Sequence, residues 1–121
     1  MARKKTVSSK LPAGAGVLAR RHPKVWASYA ELGEQCGEAG PLDARTRRLV
    51  KIALAAGAAL EGAMHSHVRR GIAEGLGVDE IRHIAVLSIP TLGLPAAVRA
   101  TTWMDDILQQ KSTRRKSSRK S

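Results

Sequence analysis

LEGAMHSHVRRGIAEGLGVDEI, residues 60–81, is the stretch on which the reading of the chain turns. Its apolar residues recur at helical rather than strand spacing. Gly75 and Gly77 stop the run with a C-cap signature, and Asp79 opens the next helix. The same stretch sets an acid and two histidines, Glu61, His65 and His67, among Ala, Gly, Leu and Ile. Polar groups in such a setting need a partner, a chemical task or a cleft.

Working outward, the helical pattern continues on both sides. Upstream, Asp43 caps a helix whose Leu49, Val50, Ile52, Ala53, Leu54 and Ala56 become apolar nearly all round, so this element is expected to be the most buried. Gly57 and Gly62 are expected to bend or break it near Leu60. Further upstream, Pro23 takes the first position of a helix carrying Val25, Trp26, Tyr29, Leu32 and Cys36, and Gly37 to Pro41 end it. Downstream, Ile81, Ile84, Ala85 and Leu87 point inward on a helix that should stop at Pro90. Gly93 and Pro95 then open another, with Val98, Trp103, Ile107 and Leu108. No segment alternates with period two over a strand length, so the class is all-α.

Composition sets the limits of function. The chain has 121 residues and a net charge of +11, yet residues 23–108 carry 9 Lys+Arg against 10 Asp+Glu, while 1–22 and 109–121 carry 6 basic residues each and no acid. A body this close to neutral offers no basic docking face by net charge, so contact with a polyanion would be non-specific and made through the tails. Both flanks are poor in large apolar groups and are expected to be flexible, leaving 23–108 as the folded helical body. With no Phe, one Tyr and two Trp, the interior is built from small aliphatic residues, and a homo-oligomer is expected to cover what one short chain leaves bare. Cys36 is the one cysteine, which excludes an intrachain disulfide and suits a cytoplasmic setting; no apolar run is long enough to span a membrane.

Helix geometry divides the polar residues of 60–81. At about 100° per residue, Glu61 and His65 lie one turn apart on one face and can pair, while His67 points to nearly the opposite side, toward another helix or another subunit. Glu61, His65 and His83 could together approach a metal ion, but neither HxH nor ExxxH on one helix completes a site, and no metal and no cofactor are expected. Trp26 and Trp103 suit packing, and Cys36 reads as a small half-buried group with no base beside it to activate it.

Four pieces together resemble the carboxymuconolactone decarboxylase family, which shares its fold with the alkylhydroperoxidase D proteins. They are LDARTRRLVKIA (42–53), His67-Val68-Arg69 followed by Gly75, Asp79-Glu80-Ile81, and Gly93-Leu94-Pro95-Ala96-Ala97. The resemblance covers roughly Leu42 to Leu108. Redox members carry a CxxC followed four positions later by a histidine; His67 stands here, but Leu60 and Ala63 occupy the thiol positions. The upstream acid of those proteins falls on Arg48. The acid and the tyrosine usual in the lactone decarboxylases fall on Ala63 and Thr91.

The resemblance implies a small helical domain in a trimer or hexamer, and a thiol-independent decarboxylase or related lyase or isomerase acting on a small cyclic carboxylic acid. His67 would deliver a proton to carbon, with Glu61 and His65 as further catalytic groups, and Arg69, Arg70 and His83 would bind the substrate. Two other readings stand beside it. One is the peroxidase activity of the wider superfamily, for which only Cys36 is available. The other is a non-catalytic oligomeric scaffold with polyanion-binding tails.

Overall fold

The computed structural model describes residues 13–119, with side chains described over 14–109. Six helices follow one another: α1 (Ala13–Arg21), α2 (Pro23–Glu38), α3 (Ala44–Gly57), α4 (Glu61–Ala73), α5 (Val78–Leu92) and α6 (Leu94–Arg119). The described residues contain no strand. The chain divides at Leu42/Asp43 into two compact units.

In the first unit, α1 packs on α2. Pro23 sits at the start of α2, where its missing N–H costs nothing, and the Trp26 and Tyr29 rings meet at 5.4 Å. Two segments expected to be flexible carry helix. Residues 13–21 form α1, whose Ala, Leu and Arg are good helix formers and whose last turn places Arg20 and Arg21 against the negative end of the dipole. Residues 109–119 continue α6. Residues 1–12 and 120–121 lie outside the described part of the chain.

The second unit, α3 to α6, holds the main core. Ile52, Ala55 and Ala56 of α3, Met64 and Val68 of α4, Leu76 of the α4–α5 turn, Ile81 and Ala85 of α5, and Ala100, Met104 and Leu108 of α6 form one buried cluster. Local chemistry sets the helix ends. The Asp43 carboxylate accepts from the Thr46 N–H at 2.8 Å and caps α3. Gly75, at φ +99°, closes α4 in a Schellman turn in which the Leu76 N–H donates to the Gly71 carbonyl at 2.9 Å. The α3–α4 turn passes through Ala59 at φ +57°.

Three expectations need correction. Helix α3 is no more buried than α4 or α5: it turns Ile52, Ala55 and Ala56 inward and leaves Leu54 66% exposed, because an all-round apolar helix offers a four-helix unit only one face. Leu87 likewise faces outward on α5. Helix α5 also runs through Pro90 to Leu92 instead of stopping. Val86 and Pro90 are both exposed, so water can take the hydrogen bond that proline forfeits, while buried Ile81, Ala85 and Ser88 hold the helix to its neighbours. No helix among the described residues is long and apolar enough to cross a membrane.

Candidate functional site

Helix α4 carries its two histidines on different sides, as the two-residue spacing requires, and each meets a different helix. His67 faces α3. Arg48, in the second turn of α3, donates from Nη1 to His67 Nδ1 at 2.7 Å and grips Glu74 with two further bonds, Nε to Oε1 and Nη2 to Oε2, both 2.9 Å. The guanidinium side chain is only 13% exposed. Its planar fork matches a carboxylate in this bidentate way, which a lysine could not reproduce.

The geometry determines the state of the imidazole. Arginine has donors only, so Nδ1 must accept and the ring proton resides on Nε2. The charged form is strongly disfavoured: burial first, then the positive charges of Arg48, Arg70 and Lys51, lower the His67 pKa from 6.5 to about 4, against a smaller opposing effect of Glu74. Glu74 is also lowered from its ordinary value, chiefly by the Arg48 hydrogen bonds. At neutral pH His67 is therefore a neutral imidazole in cationic surroundings.

Gly71 leaves room for the Arg48 arm. It lies one turn after His67 on α4, and a Cβ there would come within 2.9 Å of Leu76 Cδ1 and 3.4 Å of Arg48 Cγ. The arm of Arg48 passes beside this position on its way to His67 and Glu74.

On the other side of α4, His65 faces α6 and pairs through Nε2 with Asp106 Oδ2 at 2.9 Å. The expected Glu61–His65 hydrogen bond is not formed among the described residues; His65 is held by Asp106. Glu61 still converges on the pair, with donor atoms of all three side chains within 4.8 Å of one another.

Of the residues expected at one site, His67 lies with α3, and Glu61 and His65 lie together with α6. Arg70 is exposed but close enough to act electrostatically on both His67 and Glu74. Arg69 and His83 are exposed and join neither group. Cys36 is exposed as well, not half-buried. Trp103 is partly buried against the core and stacks under the Arg99 guanidinium at 5.4 Å.

Sequence reasoning missed Arg48, Glu74, Gly71 and Asp106. Two of them left a signal: Arg48 lies within the TRRLV stretch that carried the resemblance, and Glu74 follows His67 by seven residues, on the same helix face. Asp106, 41 residues from His65, left none.

No curated protein matches the chain. A family model, that of the carboxymuconolactone decarboxylase family, matches residues 23–106, reaching from the start of α2 into α6 and so taking in more of the chain than the quoted motifs. With both histidines, Arg48 and Glu74 inside that match, the chain belongs to the carboxymuconolactone decarboxylase family.

Proposed function

We propose that this protein is a thiol-independent lyase or isomerase of small cyclic carboxylic acids, with the reaction centred on His67 and Arg48. The observation that carries the reading is a half-buried neutral imidazole, bonded to a largely buried guanidinium and ringed by further positive charge. Such a site suits an anionic substrate.

In a decarboxylation the bond from carbon to the carboxylate breaks, carbon dioxide leaves, and the electron pair passes to a conjugated carbonyl before a proton is added at carbon. Arg48, Arg70 and Lys51 would draw in the acid and stabilise the charge developing on that carbonyl oxygen. The bound anion would offset the repulsion that, after burial, holds His67 neutral, so the imidazole gains basicity when substrate arrives and can then carry the proton. Glu61 and His65 lie toward α6 and take no part in this step. Arg69 and His83 are likewise not assigned to substrate.

The chemistry of the chain favours this over a peroxidase, since a dithiol cycle needs two thiols and Cys36 is alone. The polyanion-binding scaffold rests on twelve tail cations, of which Arg20 and Arg21 alone are among the described side chains, both exposed. Self-assembly accompanies the enzymatic reading: Leu54, Leu87, Leu94 and Val98 are each more than half exposed, and burying them in a trimer or hexamer would remove that apolar surface from water.

The test is an NMR titration of His67 with and without 4-carboxymuconolactone, run beside an assay of carbon dioxide release. We expect a midpoint near 4 in the free protein, an upward shift with ligand, and turnover. An unmoved midpoint together with no carbon dioxide from this acid would overturn the proposal.

A further inference from the structure

A second cluster of chemically capable side chains lies on the α6 side of α4. We propose that Glu61, His65 and Asp106 form a binding site for a divalent transition-metal ion of the Zn2+ type, separate from the His67 centre. Three observations support it. The donor atoms converge from two helices, all within 4.8 Å of one another. The ligand set is mixed, one imidazole nitrogen and two carboxylate oxygens, which suits borderline first-row ions better than Mg2+ or Ca2+, whose preferred ligands are all oxygen. Among the described residues, neither Glu61 nor Asp106 is paired with Arg or Lys, although Glu74, Glu80 and Asp105 of the same unit each take an arginine. Two carboxylates whose one ion-pair partner among the described residues is His65 leave a local excess of negative charge that a dication would neutralise.

The geometry needs small adjustments. Zn2+ holds nitrogen and oxygen ligands at about 2.0–2.2 Å, which places tetrahedral donors about 3.4 Å apart. The His65–Asp106 pair, now at 2.9 Å, has to open slightly, and Glu61, exposed and free to rotate, has to close by at most about 1.4 Å from the 4.8 Å limit. The hydrogen between His65 Nε2 and Asp106 must leave that nitrogen, passing to Nδ1 or to solvent, so that the lone pair faces the ion. The two carboxylates then supply two negative charges against the ion's two positive ones. With three protein ligands, at least one position is left for water.

The experiment uses the untagged full-length protein, stripped with chelator and titrated with Co2+ at near-neutral pH. Visible d–d absorption reads the coordination, and the His65, His67 and His83 ring signals are followed by NMR. We expect one ion per chain, displaced by Zn2+ but not by excess Ca2+, with the His65 signals perturbed and those of His83 unaffected. Glu61→Gln and Asp106→Asn should each weaken binding at least tenfold, and His83→Gln should leave it unchanged. Glu61 is exposed, so its variant is expected to stay folded, and circular dichroism verifies this. No saturable Co2+ spectrum, equal competition by Ca2+, or full affinity in a folded Glu61→Gln protein would each overturn the assignment.

Discussion

The two histidines of α4 stand two residues apart and occupy opposite electrostatic settings. His67 is half-buried against a guanidinium and repelled by Arg70 and Lys51; His65 is paired with a carboxylate and has a second one close by. Identical side chains on one helix are thus directed to different chemistry by what the adjoining helices bring. The cationic side is suited to an anion, and the anionic side to a cation. What is read from the helix alone is their separation; what each does is set by α3 and α6.

The sharpest way to break this contrast is His67→Gln, which keeps a similar volume and removes the imidazole. Turnover of a decarboxylated acid should fall by about 10²- to 10⁴-fold with the circular dichroism spectrum unchanged. A protein with intact turnover would remove His67 from the reaction.

Next in size is Met64→Ala. Met64 is fully buried between the two histidine faces, and its truncation should cost about 2–5 kcal/mol in denaturant unfolding. A cost well under 1 kcal/mol would mean that α4 is not anchored as described.

Arg48→Ala sharpens the contrast by making the two sides more alike. The His67 midpoint should rise from about 4 toward 6.5 without reaching it, because burial is the first cause of the shift and Arg48 the second. The wild-type linkage has a definite sign. The unfolded chain protonates this histidine near 6.5 and the folded chain only near 4, so its contribution to stability is present at neutral pH, declines as pH falls through that window and is gone below about 4. Glu74, lowered from 4.5, acts in the same direction at the acid end. Urea midpoints measured across this range should therefore drop on the acid side more steeply in wild type than in Arg48→Ala.

The smallest effect belongs to the other face. Asp106→Asn removes an ion pair that is 47% exposed on the aspartate side, and metal-free stability should change by less than about 1 kcal/mol. A larger loss would show that this cluster is structural.

How much of this was legible beforehand follows from the range of each interaction. The Asp43 cap, the Gly75 stop and the Gly93 boundary are local, decided within a few residues, and were read correctly. The opposition of His65 and His67 followed from helix geometry alone. The partners did not: Arg48 and Asp106 reach α4 from helices 19 and 41 residues away, and no local pattern encodes which side chains tertiary packing brings together. The apolar run of α3 misled for a related reason, since periodicity identifies apolar faces but not how many of them a single unit can cover.

The absent side chain at position 71 sets the Arg48–His67 pair beside the edge of the hydrophobic interior. Leu76 and Arg48 both border the space a methyl group would fill, so a change that shifts the leucine into that space is expected to disturb the arginine and, through its hydrogen bond, the ring of His67. The titration of that ring should therefore serve as an internal gauge of packing. Substitutions around Leu76 that touch no charged group should register in it, and of these Gly71→Ala should move it most, so that one missing methyl is reported by a group two helices share.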